Sequence, residues 1–597
     1  MIPPAAFTLD ALHAFFAAGG SPLVVADAAL ARIGAWDDPA LFLARVPPEA
    51  VRARAAALAA EGPRGRPLFG MPFVVKDNID AAGLPTTAGC PDYAYHPQAD
   101  SPAVARLLAA GAVLLGKTNL DQFATGLNGT RSPHGTPRNP VAADCIPGGS
   151  SSGSATAVAA GIAGFSLGTD TAGSGRVPAM ANNIVGLKPS LGLVPTEGVV
   201  PACRSLDCVS VFALTVADAG AVLQVLAGPA PTDRYSRAAP PGWQAAPAPQ
   251  PAWRLAAPLA GQLVFDSPDD AALYAAALAH AEAMGGSIAR VDIAPFLAIA
   301  RRLYEGAWVA ERTAALRGMV ERHPDSLHPV TRLILEAGLD KRTIDAWDDF
   351  DAAAEARRLA RALFTTADVL LLPTAPGLPS LADLAAEPVA ANSRLGTYTN
   401  FVNICDLAAL AVPAGFRADG RLAGVTLVGP AFSEARLAGL GAALHSAAAV
   451  PLGALGVATP PPPAPPVLAA DELPLLAIGA HMSGLPLNHQ VLRHGGRFLA
   501  EARTAPAYRL HDLGNRPGLV RVASGGVAVE GEVWALPAAA IGPFLAEIPA
   551  PLGFGRVTLE DGSTPLGFLC EAAGIGDAPD ISATGGWRAH LRLKEDA

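Results

Sequence analysis

Lysine is scarce in this chain: five residues in 597, Lys76, Lys117, Lys188, Lys341 and Lys594, against many arginines. Positive charge as such is therefore supplied mostly by arginine, which stays protonated in proteins and cannot act as a base. Other scarcities narrow the function further. No basic run occurs and the formal net charge is −10, so no nucleic-acid partner is expected. The six cysteines (Cys90, Cys145, Cys203, Cys208, Cys405, Cys570) form no CxxC and no Cys/His spacing of a zinc site. No metal and no cofactor is expected, and the thiols should be reduced and mostly buried. No Lys or Arg precedes Arg32, which leaves out the charged start of a secretory signal. Apolar segments such as Ala155 to Leu167 stop well short of the ~20 residues a membrane span needs. These absences describe a cytoplasmic protein with no membrane partner. Charged residues make up only 16% against 51% hydrophobic, which suits a tightly packed interior, and 597 residues exceed one core, so two or more domains are expected.

Three segments carry chemistry. In Pro72-Phe73-Val74-Val75-Lys76-Asp77-Asn78 a lysine sits in an apolar run. Desolvation favours a neutral amine, which is the form that can take a proton; the plain alternative is a strand-end lysine reaching solvent. Gly148-Gly149-Ser150-Ser151-Ser152-Gly153-Ser154 precedes a small-residue, helix-forming stretch from Ala155 to Gly164. It is not a P-loop, which ends in Gly-Lys-Ser/Thr, and it is too short and too enclosed by apolar sequence for a flexible linker. In Gly168-Thr169-Asp170-Thr171-Ala172-Gly173-Ser174-Gly175-Arg176, small residues precede a serine. The amides of Thr171, Ala172, Gly173 and Ser174 are candidates for an oxyanion site, and Asp170 and Arg176 for an ion pair that clamps the turn. A serine becomes a nucleophile when a neighbouring base takes its proton, and a lysine can be that base.

In order and spacing, Lys76, Ser150 and Ser174 resemble the amidase signature family. Further matches are Gly116-Lys117-Thr118-Asn119-Leu120-Asp121-Gln122-Phe123, Gly135 to Pro140 and Gly186 to Ser190. The resemblance implies an α/β fold with a mixed central sheet covered by helices, Lys76 as base, Ser150 as proton relay through a cis peptide bond, and Ser174 as nucleophile. Lys117, at the exit of an apolar run, is assigned a structural or substrate-neck role. Leu303-Tyr304-Glu305-Gly306-Ala307-Trp308-Val309-Ala310-Glu311-Arg312 resembles a stretch of the allophanate hydrolases within that family. The resemblance implies that Tyr304 and Arg312 hold a substrate carboxylate. On one helix the eight-residue step spans ~12 Å and brings both toward one small anion; the alternative is an amphipathic helix with a surface Arg312. The loop Gly126-Leu127-Asn128-Gly129-Thr130-Arg131-Ser132-Pro133 also resembles those enzymes, with Gly126 as a pocket residue.

The hydrophobic pattern places helices at Thr8 to Ala18, Pro48 to Leu58 and Asp269 to Met284, with a core sheet opening at Pro67 to Asp77. Three parts are expected: 1–457 as the amidase signature domain, a Pro-rich linker at 458–467, and 468–597 as a small C-terminal α/β barrel-like domain. Strands are expected near Leu475, Thr504 to Leu510, Val520 to Val522 and Val527 to Leu536. This last part resembles the C-terminal domain of allophanate hydrolases, similar to γ-glutamyl cyclotransferases. The resemblance implies a catalytic role for His481, with His489 as competitor; read as an enzyme, the domain would bind a small dianion through His481 and Asn488. The alternative is an assembly module with His481 as an ordinary loop histidine. A cyclotransferase glutamate is not evident.

The resemblance implies cleavage of allophanate to ammonia and N-carboxycarbamate, then decarboxylation, two ammonia and two carbon dioxide in all. It further implies a homodimer and assembly with other urea- or triazine-pathway enzymes. The competing readings are a biuret or malonamate amidase and a scaffold with a relic amidase domain. No lysine lies in a Met-Lys-Met biotin motif, so a fused urea carboxylase is not expected.

Overall fold

The computed structural model describes all residues except 241–242, 249–252, 463–467, 470, 484 and 596–597. Half of the expected Pro-rich linker, 463–467, lies outside the described residues. The chain divides into two compact units, the first built almost wholly from residues 1–463 and the second from 464–597 with short pieces of 240–251.

The first unit is organised on an eleven-stranded mixed sheet. Its strands in chain order are β1 (Phe42–Arg45), β2 (Pro72–Lys76), β3 (Val113–Thr118), β4 (Phe165–Asp170), β5 (Val185–Lys188), β6 (Cys208–Ala213), β7 (Trp253–Pro258), β8 (Gly286–Val291), β9 (Val369–Pro373), β10 (Leu407–Phe416) and β11 (Leu422–Pro430). They lie side by side as β1-β3-β2-β4-β6-β5-β10-β11-β9-β7-β8. β2, β4, β5, β6 and β9 are buried at every residue, the pattern of strands covered on both faces. β2 runs parallel to β3 and β4, while β4 pairs antiparallel with β6. The carboxyl ends of β2 and β4 therefore open at one end of the sheet, and the wholly buried helix Ser152–Ala159 packs on both.

The expected helices are present as Leu9–Ala17, Pro48–Glu61 and Pro268–Ala283. Ser267 caps the last of these by accepting from the Asp269 and Asp270 amides. One expectation is corrected. The stretch from Tyr304 to Arg312 is two helices, Ala294–Glu305 and Trp308–Ala315, separated by an extended Gly306. The cause is remote in sequence: the Asp349 carboxylate accepts from the Ala307 amide (2.6 Å) and from Arg302 (2.7 Å), and a Cβ at Gly306 would stand 2.4 Å from Asp349 Oδ2.

The second unit carries a five-stranded mixed sheet in the order β13-β16-β12-β18-β17, plus the hairpin β14-β15. Here β12 is Glu472–Ala477, β13 Arg497–Arg503, β14 Tyr508–Asp512, β15 Pro517–Arg521, β16 Glu530–Pro537, β17 Leu552–Arg556 and β18 Leu566–Cys570. Trp534, Tyr508, Phe544, Phe568 and Trp587 fill its core. The strand expected over Thr504 to Leu510 is interrupted. Pro506 offers no amide to a ladder, and the chain turns there before β14 begins.

Candidate active site

Lys76 ends β2 with no exposed surface, and its Nζ lies 2.7 Å from both Ser150 Oγ and Thr169 Oγ1. Parallel pairing brings the two strand ends near each other: Val75 is level with Leu167, so Lys76 leaves β2 one position short of Thr169 on β4. Burial is the largest influence on the amine and brings its pKa down to about 7. The carboxylates of Asp121, Asp207 and Asp170 act to raise it, and the Arg312 cation to lower it.

Ser150 follows a cis peptide bond from Gly149. A Cβ at Gly149 would stand 2.0 Å from Asp121 Oδ2 and 2.5 Å from the Gly129 amide, so no other residue fits there. The Ser150 carbonyl accepts from the Asp121 amide (3.0 Å), and Ser151 Oγ donates to the Thr169 carbonyl (3.2 Å), fixing the serine loop to the end of β4.

Ser174 is 3% exposed, in the turn between β4 and the short helix Val177–Ala181. Asp170 organises this turn. It accepts from the Gly173 amide (2.9 Å), the Gly175 amide (3.0 Å), and Arg176 Nε and Nη2 (2.9 and 3.0 Å). Burial pushes the Asp170 carboxyl upward, yet the guanidinium and the amides outweigh it and hold the group below its usual range. Both side chains are fully buried, and removing one partner of such a pair leaves an uncompensated charge, at about 3–5 kcal/mol. The bond from Gly173 corrects one expectation: that amide is engaged by Asp170 within the turn, rather than aimed at a ligand. Thr171 and Ala172 lie in the same turn, with Thr171 Oγ1 donating to Asp207 and the Ala172 carbonyl accepting from Thr399 Oγ1.

Arg312 is 1% exposed. Its guanidinium carbon lies 5.5 Å from the centre of the Tyr304 ring, so the helix break keeps the pair together. Nη1 donates to Thr125 Oγ1 (2.8 Å), and the Thr125 carbonyl accepts from Arg131 (3.0 Å). Gly126 is therefore adjacent to the Arg312 contact, and a Cβ on it would meet Asp121 Oδ2 at 2.5 Å. Thr125 carries no motif that marks it in the sequence. Lys117 is fully buried, with Nζ donating to Thr86 Oγ1 (2.6 Å) and Pro85 O (3.0 Å) and lying 3.2 Å from Asp77, so it is anchored away from Ser150 and Ser174.

In the second unit His481 lines a cavity of about 230 Å³ with Gln490, Arg516, Glu547 and Phe568 among its walls. Its ring stacks on Phe568 (4.7 Å between centres) and Nε2 bonds Gln490 Oε1 (2.9 Å), so this histidine has a partner. Burial holds it below its ordinary pKa, which keeps the ring neutral at neutral pH. His489 is exposed and bonds Pro486 O. Asn488 is buried and donates to the His481 carbonyl (2.9 Å), bracing the loop that holds the histidine.

A buried amine bonded to a serine on a Gly-Ser loop sits within the region, residues 25–438, that matches the Amidase family model. The chain belongs to the amidase family. Residues 473–592 match the Allophanate hydrolase C-terminal domain. This amidase is similar to the allophanate hydrolase of Kluyveromyces lactis in its solved structure, with 39% identity, a TM-score of 0.73, and 98% of this chain and 99% of that one covered. It is 40% identical over 548 residues to the urea amidolyase of Saccharomyces cerevisiae, covering 88% of this chain and 30% of that protein. The chain thus spans under a third of the curated urea amidolyases it matches. A glutamyl-tRNA(Gln) amidotransferase chain of Thermus thermophilus is 35% identical over 398 residues, 62% of this chain and 83% of that one. Among the described residues, no helix of this amidase is long and apolar enough to cross a membrane.

Proposed function

We propose that this chain hydrolyses allophanate by a Lys76-Ser150-Ser174 relay, with residues 1–457 as the catalytic domain and 468–597 as the domain for the decarboxylation that follows. The observation that carries the reading is a fully buried guanidinium, Arg312, within the electrostatic reach of a buried lysine bonded to a serine. A forked cation suits the carboxylate of a small substrate, and the Tyr304 ring beneath it limits the space to something compact.

Neutral Lys76 accepts the proton of Ser150 as Ser150 takes that of Ser174, and the Ser174 oxygen attacks the terminal amide carbon. Amides of Thr171 and Ala172 meet the oxyanion. The relay returns a proton to the leaving ammonia, and water cleaves the acyl-enzyme by the same path, giving N-carboxycarbamate. In the second unit, His481 assists loss of carbon dioxide, and the carbamate left decomposes to ammonia and carbon dioxide. Activity requires the unprotonated amine, so kcat/KM falls as pH drops through about 7. A homodimer, association with other urea- or triazine-pathway enzymes and a cytoplasmic location belong to the same proposal.

The test is ammonia release by the full chain from allophanate, biuret, malonamate and simple amides. Allophanate should be turned over with the highest kcat/KM; equal rates on simple neutral amides would overturn the assignment. With His481→Ala, the first equivalent of ammonia should appear at the wild-type rate while carbon dioxide release slows about tenfold or more, read by following both products in one reaction.

A further inference from the structure

We propose that Asp207 is a positioning residue for the amide-cleavage step, fixing the turn ahead of Ser174 against the segment that bears Arg312. The inference rests on the reading of Lys76 and Ser174 given above. β4 and β6 are antiparallel, with Asp170 level with Cys208 at the end of the ladder. One position further on each strand are Thr171 and Asp207, and there Thr171 Oγ1 donates to Asp207 Oδ1. The same carboxylate accepts from the Ala202 amide (2.9 Å) and from the Cys203 amide at both oxygens (3.1 and 3.2 Å). Two amides suffice to close a loop; the bond to Thr171 ties that loop to the nucleophile turn.

The loop is latched on its other side. Cys203 Sγ, the Ser205 amide and Ser205 Oγ all donate to Glu311 (2.9, 2.8 and 2.6 Å), the residue beside Arg312. A continuous path of hydrogen bonds thus runs from the turn holding Thr171, through Asp207 and residues 202–205, to the helix holding Arg312. Distance between the anion clamp and the attacking serine is what a small substrate must match, and this path sets it. Asp207 is also a charge in the site. It acts on Lys76 together with Asp121 and Asp170, and the Arg312 cation acts on both Lys76 and Asp207. Burial raises the Asp207 carboxyl to about 6, with the Thr171 bond, the amides and Arg312 opposing.

The experiment uses the full chain with Asp207→Asn and Thr171→Val, measuring kcat, KM and the pH profile of ammonia release. Asn keeps an acceptor for Thr171 but removes the charge, so one of the three anions favouring protonated Lys76 is lost, and the acid limb should move to lower pH as kcat drops about tenfold. A group with a purely structural role leaves that limb in place. Thr171→Val keeps the carboxylate but cuts the bond that ties it to the nucleophile turn, and should lower kcat about tenfold with KM little changed. Wild-type kcat and an unmoved limb in Asp207→Asn would overturn the inference. Should that variant fail to fold, wild-type kcat in Thr171→Val would overturn it alone. Ser174→Ala run alongside separates the two readings: its full activity would remove the proposed relay, whereas its inactivity with silent Asp207 and Thr171 variants would remove only this inference.

Discussion

Ser174→Ala lowers ammonia release from allophanate by about 10⁴-fold or more, the scale on which serine hydrolases lose kcat when the nucleophile is removed. The loss does not depend on how tightly substrate binds. Ser174 is buried in a turn whose geometry is held by Asp170, Arg176, Thr399 and Asn403, so a methyl in place of the hydroxymethyl leaves that frame intact. The fold should therefore survive, and KM should change little while kcat collapses. Stopped-time ammonia assays on the purified variant, with thermal unfolding as a control, check both halves. A variant that keeps most of its kcat would place the nucleophile elsewhere.

Arg312→Ala gives the second large effect, and it is selective. Truncating one member of a buried charge pair costs about 2–5 kcal/mol, so kcat/KM for allophanate should fall roughly 30- to 5,000-fold. A simple neutral amide makes no use of the guanidinium and should keep most of its rate above the acid limb, while that limb moves to higher pH because the cation that lowers the Lys76 pKa is gone. Arg312→Lys should restore little, because an ammonium cannot fork to both oxygens of a carboxylate while also reaching Thr125. Parallel loss on charged and neutral substrates would mean that Arg312 supports the fold of the site and not the recognition of an anion.

Much of this site is legible in the sequence because its parts are local. Lys76 stands out as one of five lysines, set in a run that becomes a wholly buried strand. Ser150 and Ser174 stand out because the glycines around them meet other groups at distances no side chain permits, as at Gly149 against Asp121 and Gly173 against Thr399. The parts that are not legible depend on long-range contacts. Tyr304 and Arg312 have a spacing that suits one helix, and the break between them is imposed by Asp349, 42 positions beyond the Ala307 amide it binds. The commitment of the Gly173 amide depends on where the Asp170 carboxylate turns. Asp207 is 36 residues from Thr171 in sequence and meets it only because β4 and β6 pair. In the second unit, β17 and β18 are short and interrupted by glycine, so alternation is too brief to mark them, although β18 supplies the Phe568 ring beneath His481.

The central claim is an amine at position 76 that is neutral at working pH. With so few lysines, nitrogen-15 labelling of the side-chain amines makes each one separately observable, and Lys76→Met assigns the signal. The account predicts one Nζ resonance that titrates near 7, disappears in Lys76→Met, and matches the acid limb of kcat/KM measured on a neutral amide. A Lys76 signal that remains protonated to a pH of about 10, like an ordinary lysine, would contradict it.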